Sequence, residues 1–116
     1  MTRTSAAVAE YLPEAAELAL LQTHVQTAAR LLKLLASDQR LLILCRLAEG
    51  ESSVGELTRY VGLAQSAVSQ HLAKLRAEGV VATRRDGQTI FYSLVDPAAA
   101  RLIETLCGVF RGTPAA

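Results

Sequence analysis

A chain of 116 residues with 12 lysines and arginines against 11 acids has a net charge of only +1, so bulk charge does not mark it as a polybasic nucleic-acid protein. Hydrophobic residues make up 51% and aromatics only 4%, with much of the apolar content in Ala and Leu, which favours helices. No apolar run reaches the length of a membrane span and the N-terminus lacks the pattern of a secretory signal, so a cytoplasmic protein with free thiols is expected.

Residues 1–12 read as a loose arm, 13–112 as one domain, and 113–116 as a loose C-terminus. Pro13 suits a first helical turn, and Glu14 and Glu17 meet the positive end of the helix dipole. The helix expected over 14–35 carries Leu18, Leu21, Val25, Ala28, Ala29, Leu32 and Leu35 on one stripe. Leu20, Leu31 and Leu34 widen that stripe beyond what a small core needs, which fits contact between subunits. Ser37 or Asp38 caps the next helix, whose stretch over 40–48 is nearly continuous apolar sequence and contains Cys45. Gly50 ends it, and a turn at Glu51 and Ser52 leads onward.

The next stretch organises the rest. Ser53 followed by Glu56 is a capping box. Leu57 and Val61 repeat at helical spacing, Gly62 closes the helix, and Leu63 plugs a tight turn. A second helix over about 65–78 buries Val68, Leu72 and Leu75 and stops at Gly79. Its remaining face is small and polar: Gln65, Ser66, Ser69, Gln70, then Lys74. Such a face fits a DNA major groove, where Gln and Ser reach base edges and Lys meets phosphate; it equally describes a solvated helix surface.

After Gly79 the period changes to that of strands. Two of them flank an Asp86-Gly87 pair, which reads as a type I′ hairpin turn, with Arg84 and Arg85 beside the tip and Gln88 following it. A basic hairpin directly after a candidate recognition helix reads as a wing touching phosphate, or else as solubilising edge charges. Residues 65–87 carry Lys74, Arg76, Arg84 and Arg85 against two acids, a basic end on a near-neutral body. Asp96-Pro97 starts a last helix to about Arg111, with Leu102, Ile103, Leu106, Val109 and Phe110 on one stripe. Spare apolar faces on the first and last helices point to a two-fold homodimer, the alternative being one intrachain core. The fold class is mainly α with a small β-hairpin: a winged helix-turn-helix.

The strings LLKLLASDQRLLIL, SVGEL, GLAQSAVSQHLAKLRAEGVV and RRDGQTIFYSL together resemble the ArsR/SmtB family of winged-helix repressors, over roughly 31–110. The resemblance implies a dimeric repressor on a palindromic double-stranded operator, released by an inducer. The family usually has Ser where this chain has Ala64, so the recognition helix loses its cap unless Ser66 takes over. His71 follows the family pattern and is expected to pack under the helix rather than read a base.

The metal sensors of that family need clustered ligands. The helix SVGELTRYV has no Cys pair, the last helix has no His, and His24 and His71 stand apart, so no metal site and no cofactor are expected. Cys45 and Cys107 remain. On their own they fit buried packing as well as chemistry. The resemblance implies the thiol-based branch answering sulfide, persulfides and oxidants, in which a Cys at the position of Cys45 pairs with one on the last helix. There the second cysteine stands where this chain has Arg111, so Cys107 lies one turn early. A soft metal such as arsenite on the same two thiols is the alternative inducer, and a protein-interaction module the alternative use of the fold. No nucleophile–base pairing, phosphate loop or paired-carboxylate site marks an enzyme.

Overall fold

The computed structural model describes residues 4–115; the first three residues of the expected arm and the last of the expected C-terminal tail lie outside them. In chain order come helices α1 (Ala6–Ala9), α2 (Ala15–Thr23), α3 (Val25–Leu35) and α4 (Asp38–Glu49), strand β1 (Ser52–Ser53), helices α5 (Val54–Val61) and α6 (Gln65–Ala77), strands β2 (Val81–Asp86) and β3 (Thr89–Leu94), and helix α7 (Pro97–Val109). The chain divides into two compact units, one ending at Leu32 and the other beginning at Lys33.

In the first unit the arm contains a single helical turn, α1, capped by Ser5, whose hydroxyl accepts from the Ala7 amide. Glu14 opens α2 in a capping box with Glu17. The helix expected to run unbroken over 14–35 is two helices, interrupted at His24. The interruption has a local cause. Thr23 Oγ1 donates to the Ala19 carbonyl, and His24 Nδ1 lies 2.9 Å from the Leu20 carbonyl oxygen. Thr58 and Thr105 make the same bond as Thr23 inside the unbroken helices α5 and α7, so the ring of His24 on the preceding turn is the feature peculiar to the break. Leu18, Leu20 and Leu21 on α2 are all exposed.

The second unit holds the core. Ile43, Leu44 and Leu47 of α4, Leu57 of α5, and Val68, Leu72 and Leu75 of α6 are buried together with Val80, Val81, Ala99 and Ile103. Helix α4 packs against α5, α6, α7 and β3, as its nearly continuous apolar run requires. It is not enclosed on every side, however: Leu42 and Cys45 are exposed. Ser37 caps it by accepting from the Arg40 amide.

The sheet has three antiparallel strands in the order β1-β3-β2. Where the sequence reads as a turn at Ser52, the structure has the edge strand β1, with Ser52 opposite Tyr92 and Ser53 opposite Phe91. The hairpin turn is displaced by one residue from the expected Asp86-Gly87. Asp86 pairs with Thr89, which leaves Gly87 and Gln88 as the connection. Gly87 has φ +63°, and no described non-glycine residue has positive φ, so the two positive angles of a type I′ turn are not met. Glycine first, then a residue with negative φ, is the sign pattern of type II′.

Candidate nucleic-acid interface

Helix α5 starts as its sequence dictates. The Glu56 amide donates to Ser53 Oγ (3.2 Å), and the Ser53 amide donates to Glu56 Oε1 (3.1 Å). That backbone donor, then the serine hydroxyl, holds the Glu56 carboxyl below the usual carboxylate range. Arg46 of α4 lies 3.9 Å from Glu56 and ties the two helices together at the surface. Gly62 takes the left-handed conformation, φ +76°, that ends α5, and half-buried Leu63 fills the turn to α6.

Helix α6 divides cleanly. Val68, Leu72 and Leu75 are each 0% exposed, while Gln65, Ser66, Ser69, Gln70 and Lys74 are all exposed. Full burial of three aliphatic side chains, each worth about 1.5–3 kcal/mol, fixes which face points outward. At the start of the helix Ala64 occupies the N-cap and no side chain caps it, Ser66 included; the Ala64 carbonyl accepts from the amides of Ala67 and Val68, each at 3.1 Å. His71 is half-buried, with Nδ1 accepting from Arg40 Nη1 at 3.3 Å. Arg40 Nε in turn donates to the Leu34 carbonyl, so the recognition helix is tethered to the start of α4 and the end of α3. Burial, and then the charges of Arg40 and Lys74, push the His71 pKa below its ordinary value. The imidazole is therefore a packed acceptor, in line with its expected place under the helix.

On the wing, Arg85 and Gln88 are exposed. Arg84 is engaged within the chain. Its Nε and Nη2 donate to the two carboxylate oxygens of Glu51 (3.0 and 2.7 Å), its Nη1 lies 4.0 Å from Asp86, and its guanidinium sits 4.8 Å from the Phe91 ring centroid. The guanidinium holds the Glu51 carboxyl below its ordinary range. Nothing in the sequence marks Glu51 as this partner: the two stand 33 residues apart. Between wing and helix pair runs a cleft of about 390 Å³ lined by Ser53, Val54, Gly55, Gln65, Gln88, Thr89 and Ile90. It brings together Gln65 and Gln88, the first residue of α6 and the turn of the wing. Ser66, Ser69, Gln70, Lys74 and Arg85 lie outside its lining.

The thiols stand on two packed helices, Cys45 on α4 and Cys107 on α7, and both are free and exposed rather than buried. Partial desolvation of the exposed Cys45 thiol raises its pKa, and the neighbouring Cys107 and Glu49 push it in the same direction. Among the described residues no three His, Cys, Asp or Glu side chains gather as a metal site. No described helix is long and apolar enough to cross a membrane.

Comparison with known proteins agrees with this geometry. The family described as "Bacterial regulatory protein, arsR family" matches residues 37–83, from the cap of α4 into β2. The chain is 48% identical over 95 residues to the HTH-type transcriptional regulator YgaV of Escherichia coli (strain K12), covering 81% of this chain and 96% of that protein. Reduced HlyU from Vibrio cholerae N16961 superposes with a TM-score of 0.74 at 44% identity, covering 78% of this chain and 96% of its own. The transcriptional repressor BigR from Xylella fastidiosa superposes with a TM-score of 0.76 at 41% identity, covering 80% and 95%.

Proposed function

The chain belongs to the ArsR family of bacterial transcriptional regulators, and from that premise we propose that it is a cytoplasmic homodimeric repressor which binds a palindromic DNA operator and releases it when Cys45 and Cys107 are modified. The observation that carries the DNA reading is the division of α6: a polar outward face held by three side chains with no exposure. Gln65, Ser66, Ser69 and Gln70 face the base edges, Lys74 and Arg85 the phosphates, and Gln88 the backbone where the cleft meets the wing. The role is binding, not catalysis.

The release step rests on the placement of the two free thiols on α4 and α7, helices that pack against each other. With a peroxide as oxidant, the two thiols lose two protons and two electrons, a sulfur–sulfur bond forms, and the peroxide leaves as two molecules of water. With a hydropersulfide donor instead, two donor molecules each pass their outer sulfur to one cysteine and leave as thiols, and one cysteine persulfide then displaces hydrogen sulfide from the other to close a trisulfide, which tolerates a longer gap than a direct disulfide. Either bridge ties α4 to α7. Because α4 also packs on α5 and α6, a change in the α4–α7 angle moves the two recognition helices of a dimer away from the spacing of about 34–36 Å that successive major grooves require. A coupling of about 1–3 kcal/mol gives roughly 5–150-fold release.

Operator titration before and after peroxide or persulfide treatment, with intact mass in parallel, tests this. Treated protein should lose affinity, gain an intrachain bridge, and melt higher, because closing a loop of roughly 60 residues restricts the unfolded chain by about 4 kcal/mol. Cys45→Ser and Cys107→Ser should each bind DNA when reduced and ignore the inducer. Release that persists in either single variant defeats the bridge. Release on arsenite, with arsenic retained in the mass, moves the inducer to a soft metal.

A further inference from the structure

The wing is joined to the body by a side chain that passes over the middle of the sheet. In the strand order β1-β3-β2, strands β1 and β2 are not neighbours. Arg84 on β2 lies directly opposite Phe91 on β3, with its guanidinium over that ring, and Phe91 is also opposite Ser53 of β1. Beyond the ring, both donors of the guanidinium fork meet the Glu51 carboxylate, one residue before β1 begins. β1 contributes only two residues to the sheet, Ser52 and Ser53, and Ser53 is also the cap of α5. Arg84 therefore grips the chain at the point where the helix-turn-helix pair starts. The planar fork suits the task because it binds a carboxylate through two parallel bonds and lies flat on an aromatic face.

Resting on the DNA-binding reading above, we propose that Arg84 and Glu51 form a strap across the sheet that sets the wing against the helix pair, which makes Arg84 a positioning residue for the DNA contacts of Arg85 and Gln88 and not itself a phosphate ligand. This divides the adjacent arginines, both of them exposed, by role: Arg85 meets DNA, and Arg84, held by Glu51, fixes the hairpin that presents it.

The two roles predict opposite signs. If Glu51 only sequestered a phosphate-binding arginine, neutralising it would free Arg84 and tighten binding. If the pair is a strap, neutralising it weakens binding even though a negative charge has left the DNA side. The probe is the duplex that wild-type protein recovers from a random-sequence library, titrated by fluorescence anisotropy over a range of salt. Glu51→Gln and Arg84→Gln should each weaken binding about two- to five-fold, the double variant should be no worse than either single, and the salt slope should stay at the wild-type value. In the protein alone, amide hydrogen exchange over residues 85–89 should quicken in both single variants. Arg84→Lys, which keeps the charge but lacks the fork, should behave like Arg84→Gln and carries the comparison if a neutral variant fails to fold. Tighter binding by Glu51→Gln, or a slope reduced by about 0.9 in Arg84→Gln, would make Arg84 a phosphate contact. Unchanged affinity and exchange in both would leave the strap without a role. If wild type recovers no duplex, the DNA reading fails, while the exchange measurement still decides the strap.

Discussion

Helices α6 and α7 are the same length, thirteen residues, and use their apolar side chains in opposite ways. In α6 the large aliphatic residues Val68, Leu72 and Leu75 are wholly enclosed, and what faces outward is amide, hydroxyl, cationic groups and small alanines. In α7 only Ala99 and Ile103 are buried, while Leu106 and Val109, with Phe110 just beyond, stand 43–65% exposed. A polar outward face is matched by a polar ligand. A row of exposed large apolar residues is matched by another apolar surface, for which a second copy is the economical partner. One helix of the second unit is finished within the chain; the other keeps an apolar face that the proposed homodimer would cover.

Substitutions can break that contrast at either end. Leu72→Ala removes a side chain with no exposure and should cost about 2–5 kcal/mol at any protein concentration, seen as a fall in Tm that dilution does not alter. Leu106→Glu should behave differently. It places an unpaired charge on the face assigned to the second copy, so light scattering should find monomer where wild type is dimer, with stability that no longer rises with concentration. A wild-type monomer at micromolar concentration removes the contrast altogether.

Smaller effects sharpen it on the α6 side. Gln70→Ala should reduce discrimination between the preferred operator and single-base variants by about 1–3 kcal/mol at one position, with Tm unchanged. Arg85→Ala should weaken all sequences alike and flatten the salt dependence by about one unit. The smallest effect is a pH dependence. His71 is held below its ordinary pKa by burial and by Arg40 and Lys74, so its neutral form stabilises the fold above pH 6.5 and that contribution fades as pH falls through the lowered value. Stability measured between pH 7 and pH 5 should therefore decline, and His71→Gln, which keeps an acceptor for Arg40, should flatten that decline.

What the sequence made legible is what short-range spacing encodes. The box of Ser53 and Glu56, the stripe Val68, Leu72 and Leu75, and the stop at Gly62 all involve partners within a turn or two, and each is where the residue pattern places it. The interruption at His24 was local too, but what marks it is a ring bonding back to the Leu20 carbonyl, which apolar periodicity does not register. The wing turn slipped because Asp-Gly and Gly-Gln both offer a glycine, and only cross-strand pairing decides between them. β1 and the Glu51–Arg84 bond were beyond reach for a plainer reason. Both depend on residues more than thirty positions apart meeting in space, and no spacing rule along the chain carries that. Of the candidate site, the residue types and the outward face were readable; which arginine is already occupied was not.

The start of α6 differs from that of α7 in one further respect. Asp96 accepts from the amides of Ala98 and Ala99, whereas Ala64 offers its helix no such acceptor. The first turn of α6 therefore has amides that no side chain satisfies, and under the proposed DNA binding a phosphate or base would supply the acceptor. Where that contact also orders the turn, it lowers affinity for every sequence and makes association entropically less favourable. An Ala64→Ser protein should arrive pre-ordered and bind all duplexes more tightly, with a smaller entropic penalty in calorimetry. For the proposed repressor the alanine would keep the hold on DNA shallow enough for a modest signal to undo.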